Sequence, residues 1–165
     1  MRRNPKVYIE FCDLLQEFLE QEQVHEMNNY IQHGNTSTYL HSIQVAYYSY
    51  CLARRLPIRY DRKSLVRGAM LHDFYLYDWH IPDRIHRLHG YVHPSFALRN
   101  AKKYFELNQI EEDIISKHMW PLTLTKVPRY KEALLVCLVD KFCSLAETCY
   151  IPLYPVSALP KLQKI

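Results

Sequence analysis

His72 and Asp73 stand side by side after Gly68-Ala69-Met70-Leu71, where a core segment ordinarily carries no polar residue. Further ligand-type residues lie on or beside other apolar stretches: His41 upstream, then His93, His118 and Asp140 downstream. Burying so many polar side chains without partners is costly. A shared metal site removes that cost, because imidazole nitrogen and carboxylate oxygen are ordinary ligands for divalent transition metals. The set has no thiolate. Its nitrogen and oxygen donors suit iron, manganese, cobalt or nickel as well as zinc, so one or two such ions are the expected cofactor.

The elements that must position these residues read as helices throughout the chain, with no strand alternation. A first helix spans about Val7 to about Met27, with Val7, Phe11, Leu14, Leu15 and Phe18 on one stripe. After a loop at His33-Gly34-Asn35-Thr36-Ser37, a second runs from about Thr38 to about Leu56 and stops at Pro57. Asp61 caps a third that ends near Asp73. A connector from Phe74 to His93 contains Pro82 and Gly90; Pro94 then takes the first position of a helix reaching about Leu107. Shorter and longer helices cover about Ile110 to Met119 and about Tyr130 to Cys149, separated by Trp120-Pro121 and Pro128. Pro152, Pro155 and Pro160 make the tail, residues 150–165, irregular. The expectation is one all-α domain, a bundle of about six helices with its core between about residues 34 and 149.

Helical phase aims the candidate ligands inward. His41, Val45, Tyr48 and Leu52 share a stripe, as do Leu65, Ala69 and His72, while Asp73 lies beside Met70 and Val66. His118 follows Ile114 and Ile115, and Asp140 follows Val136 and Cys137, at spacings that place them on one face. Four helices thus each point a ligand-type residue at the core, and His93 joins from a helix start. Metal sites in helical bundles are built this way.

Bulk properties narrow the classes. With 165 residues, 48% hydrophobic and 23% charged, the chain suits one globular domain with a sizeable core. Its longest apolar run, Ala133 to Val139, falls far short of the roughly 20 residues of a membrane helix. The N-terminus leads into an amphipathic stretch rather than a signal-peptide core. Five cysteines (Cys12, Cys51, Cys137, Cys143 and Cys149) show no CxxC spacing and read as free thiols in a reducing cytoplasm. A net charge of +4 without a long basic run leans toward anionic substrates and gives no case for nucleic acid. With three glycines, no P-loop or Rossmann signature is present.

A histidine, then a His-Asp doublet after the next helix, then a late aspartate is an order that resembles the HD superfamily of metal-dependent phosphohydrolases. Here these are His41, His72-Asp73 and Asp140, and the resemblance covers about Gly34 to Glu147. Two-metal subgroups add two histidines, matched by His93 in His93-Pro94-Ser95-Phe96-Ala97 and His118 in Lys117-His118-Met119-Trp120. His86 and His89 compete for the first of these places but read as exposed loop residues, one of which could face a substrate. Many relatives continue the doublet with Ile-Gly-Lys; this chain continues Phe74-Tyr75-Leu76-Tyr77-Asp78-Trp79-His80. Those aromatics could stack on a nucleobase or pack in the core.

The resemblance implies hydrolysis of a phosphate ester or anhydride of a small molecule, a nucleotide being the first choice. Asp73 would bridge two metals that activate water, and His80 stands where some nucleotide-cleaving relatives keep a general acid. Lys141, directly after Asp140, matches a dipeptide whose lysine contacts a substrate phosphate; Arg84, Arg87 and Lys117 are further cationic candidates. Two rivals share the ligand set: a di-iron oxygenase of the same superfamily, and a non-catalytic metal-binding or signalling module. A homo-oligomer is left open.

Overall fold

The computed structural model describes residues 5–84 and 87–153, so His86, Pro155 and Pro160 lie outside the described residues. Among these residues the order is α1 (Pro5–Leu19), α2 (Glu22–His25), a 3-10 turn (Glu26–Asn29), β1 (Ile31–His33), β2 (Thr36–Ser37), α3 (Thr38–Ala53), α4 (Arg62–Leu71), α5 (His89–Tyr104), α6 (Gln109–Lys117) and α7 (Lys131–Thr148). The fold is all-α apart from one small hairpin. No helix among the described residues is long and apolar enough to cross a membrane.

The bundle centres on α4, which packs between α3 and α6, while α7 lies against α3 and α6. Gly68 sets the closeness of the α4–α6 contact, because a Cβ there would come within 2.5 Å of Ile114 Cδ1. Caps fix where the helices begin. Ser37 accepts the Leu40 N–H at 3.2 Å, Asp61 accepts that of Ser64 at 3.0 Å, and Asn108 forms a reciprocal capping box with Glu111. Arg67, buried on α4, donates Nε to Glu111 Oε1 at 2.6 Å and Nη2 to the Glu106 carbonyl at 2.8 Å, and its Nη1 pairs with Glu17. This polar knot joins α1, α4 and α6.

The structure corrects four expectations. The helix expected over residues 7–27 breaks after Leu19, whose carbonyl accepts the His25 ring N–H at 2.9 Å. A straight continuation would carry Glu22 and His25 along the stripe of Phe11, Leu15 and Phe18; breaking lets Val24 and Met27 reach the core instead. Strands were not expected, yet β1 and β2 pair antiparallel around Gly34, at φ 54; segments this short show no alternation to read. Pro94 lies inside α5 rather than at its first position, because the helix begins upstream at His89, with Tyr91 and Val92 N–H groups bonded to the Leu88 carbonyl. The stripe through His41 and Val45 leaves the core at Leu52, which is exposed.

Candidate metal centre

Five helices deliver the six candidate ligands to one buried point. His41 lies in the first turn of α3, His72 and Asp73 directly follow α4, His93 is in the second turn of α5, His118 follows α6, and Asp140 is in the middle of α7. All six are buried. Asp73 sits between two groups. Its Oδ2 is 3.2 Å from His72 Nε2 and 3.7 Å from His41 Nε2; its Oδ1 is 3.2 Å from His93 Nε2 and 3.4 Å from His118 Nε2. Asp140 Oδ1 closes the first group, 3.1 Å from His41 Nε2 and 3.6 Å from His72 Nε2. Two overlapping triads, His41-His72-Asp140 and His72-Asp73-His118, have ligand atoms close enough to hold an ion.

The outer side of each ring decides what the inner side offers. Nδ1 of His72, His93 and His118 lies 2.7, 2.8 and 3.0 Å from the carbonyls of Ala69, His89 and Ile115. A carbonyl can only accept, so these nitrogens carry the proton and Nε2 faces inward. His41 does the same toward Glu147 Oε2, at 2.9 Å. Metal-ligating histidines are held in this fashion. Gln32 in β1 donates Nε2 to Asp73 Oδ2 at 2.6 Å, and its Oε1 accepts from Tyr75 and Thr38 hydroxyls, which fixes the orientation of the amide. Sequence reasoning missed Gln32, in a strand too short for a pattern, and Glu147. Glu147 falls two helical turns after Asp140 on the same face of α7, a signal that could have found it.

The electrostatics fit a divalent cation. Burial disfavours charge on His41, but Asp140 and Glu147 outweigh it and raise its pKa to about 9. Burial is likewise outweighed at His72, which Asp73 and Asp140 raise well above the usual histidine value. Against burial, the surrounding histidines hold Asp73 and Asp140 well below the carboxylate range. Burial lowers His118 to about 4. In the ion-free cluster the raised imidazoles and the lowered carboxylates thus favour each other's charged forms, and a divalent ion would supply positive charge at the same point. Two buried atoms, His72 Nε2 and Asp73 Oδ1, make no aligned hydrogen bond. His93 Nε2 and His118 Nε2 approach to 2.8 Å, two inward-facing ring nitrogens whose Nδ1 atoms are turned to carbonyls. A cation satisfies all of them.

The centre forms part of the wall of a cavity of about 290 Å³. Asp73, His93, His118 and Asp140 meet there with Trp79, His89, Met119, Leu122 and Lys141. The Lys141 ammonium is tied to the His118 carbonyl at 2.8 Å. His89, read from sequence as an exposed loop residue, is partly buried in the cavity wall, stacked on His93 with ring centres 4.5 Å apart and bonded to Tyr77 at 2.9 Å. His80 is not brought to the cavity. It stacks on Trp79, half-exposed, with Nδ1 3.0 Å from Asp78. Of the connector aromatics, Phe74 and Tyr75 are core residues, while Trp79 borders the cavity. Arg84 and Arg87 line a separate outer groove that shares Trp79 and His89 with it. Lys117 pairs with Asp113 at 2.5 Å, away from the cavity lining.

No curated protein and no solved structure matches the chain. The HD-domain family does match, over residues 38–145. That span runs from the first turn of α3 almost to the end of α7 and contains every candidate ligand. It covers more than half of the sequence, and the chain belongs to the HD-domain family, whose members are generally metal-dependent hydrolases.

Proposed function

We propose that this protein hydrolyses a phosphate ester or anhydride of a small molecule, a nucleotide being the first candidate, at a centre of two divalent metal ions. The observation that carries this reading is that the ligand cluster borders a cavity large enough for a small molecule. Structural metal sites are closed, whereas catalytic ones keep a position open. Held by His41, His72, Asp73, His93, His118 and Asp140, such ions would supply Lewis acidity for water activation near neutral pH and for phosphoryl charge.

The chain's own residues do the rest. Asp73 presents one oxygen to each half of the centre, and Gln32 holds its Oδ2 in place. The Nδ1 acceptors keep four rings aimed inward, so little reorganisation is needed when charge develops. Lys141 borders the cavity with an ammonium held by the His118 carbonyl at 2.8 Å and more loosely by the Cys137 carbonyl and Sγ, both at 3.4 Å, and it is assigned to the substrate phosphate. Trp79 and Leu122 give the cavity an apolar wall suited to a flat base. His80 has no part in this scheme, since it stands outside the cavity.

The test is a panel of phosphomonoesters, phosphodiesters and nucleoside triphosphates, assayed with protein loaded with manganese, iron, cobalt, nickel or zinc. Hydrolysis of at least one class is expected. Lys141→Ala should raise KM several-fold with metal content unchanged, as for lost ground-state binding. Substrate-dependent oxygen uptake without hydrolysis would replace this reading with a di-iron oxygenase. Metal binding with neither activity would replace it with a binding module.

A further inference from the structure

We infer that Glu147 is a positioning residue that makes the position framed by His41, His72 and Asp140 the tighter of the two metal positions, and the one filled first. The inference rests on the metal centre proposed above, and not on hydrolysis.

Three of the four inward-facing rings are backed by main-chain carbonyls three or four residues earlier: Ala69 for His72, His89 for His93, Ile115 for His118. Such carbonyls are available to any histidine in or just after a helix. His41 alone is backed by a charged group, a carboxylate 106 residues away in sequence. Glu147 is 6% exposed, and its Oε1 has no hydrogen-bond partner among the described residues. A buried carboxylate with one partner is an expensive way to hold a ring. What it adds over a carbonyl is negative charge, which strengthens Nε2 as a donor to a cation.

The surroundings keep it there. The β1–β2 turn is packed on the last turn of α7, where a Cβ at Gly34 would come within 2.9 Å of the Glu147 carbonyl oxygen. The carboxylate reaches His41 from the same turn, and His41 Nε2 points at Asp140 Oδ1, 3.1 Å away. The position framed by Asp73, His93 and His118 has no charged backing group of this kind; its two rings rest on carbonyls. One half of the centre is therefore supported by an extra negative charge, and the other is not.

Metal-free protein comprising residues 1–165 and titrated with Co²⁺ under nitrogen tests this, followed by calorimetry and by the visible absorption of the bound ion. Wild type should bind in two resolved steps. Glu147→Gln keeps the shape and an acceptor for Nδ1–H but removes the charge. It should weaken the tighter step by about 10- to 100-fold and leave the weaker step within about twofold. An unchanged tighter step, or equal weakening of both, overturns the inference. A second measurement needs no variant. With one equivalent of Co²⁺, paramagnetic NMR of wild type should shift the His41 Nδ1–H resonance before those of His93 and His118; the reverse order overturns the inference. Absence of Co²⁺ binding would overturn the metal centre itself, whereas ordered binding without hydrolysis would overturn only the proposed activity.

Discussion

Two polar clusters meet at α4, one within it at Arg67 and one just past its end at His72 and Asp73, and they are built on opposite plans. Around Arg67 each of the three guanidinium nitrogens has an acceptor, in Glu111, Glu17 or the Glu106 carbonyl. Donors and acceptors close on themselves. Around His72 and Asp73 the outward atoms are satisfied, while inward nitrogens and oxygens converge on one another, two of them with no aligned partner. The ligand cluster is wholly buried and the Arg67 cluster largely so, with Glu17 at its exposed edge, and both hold charge. Buried polarity is therefore no mark of a site by itself; the mark is a surplus of lone pairs aimed at a common point.

Substitutions should separate the two plans, the largest effect first. Asp73→Ala should lose most bound metal by elemental analysis after gel filtration, because Asp73 faces both halves of the centre. His93→Ala should lose about one ion and keep the other. Full occupancy in Asp73→Ala would end its bridging role. On the closed side, Arg67→Ala leaves Glu111 buried without its partner and should cost roughly 3–5 kcal/mol in denaturant unfolding. Its metal stoichiometry should match wild type; metal loss at folded conditions would show that the clusters are one network. Gly68→Ala, next in sequence, drives a methyl into Ile114 and should cost about 1–3 kcal/mol with metal again retained.

The most gradual effect lies in the pH dependence of the metal-free protein, where two histidines of the open cluster act with opposite sign. His41 is raised from 6.5 to about 9 in the fold, so its contribution is full below pH 6.5 and lost as pH rises through 9. His118 is lowered from 6.5 to about 4, so its contribution is full above pH 6.5 and lost as pH falls toward 4. Chelated protein should be most stable near pH 6.5 by thermal melting. Metal-loaded protein should lose the alkaline decline, because the ion takes the place of the His41 proton. Equal melting of chelated protein at pH 6.5 and pH 9 would contradict this account.

The open cluster was legible in the sequence because its members break apolar stripes; a histidine at the end of Leu65, Ala69 and His72 is conspicuous. The closed cluster was not, since Arg67, Glu111 and Glu17 look like the ordinary charges of amphipathic helices. Residues that act on the ligands were hidden for local reasons. Gln32 sits in a three-residue strand, and His89 belongs to a helix whose start was misplaced by giving Pro94 its usual first position. In α5 the upstream turn bonds to Leu88, which outweighs the proline preference. The start of α4 followed its cap, because Asp61 acts through the backbone whatever surrounds it, whereas α3 ends at Ala53, three residues short of the expected Leu56.

The contact between His41 and Asp140 spans 99 residues of sequence. An ion held by both is a cross-link, closing a loop that contains nearly all of the bundle. Unlike a disulfide, such a clasp opens when the chain unfolds, so it stabilises the bundle by the free energy of binding the ion. All five cysteines are free thiols, so no disulfide shares that task. The bundle's persistence should then follow the supply of metal rather than the redox state around it. A chain still being synthesised cannot close the clasp until residue 140 has been added.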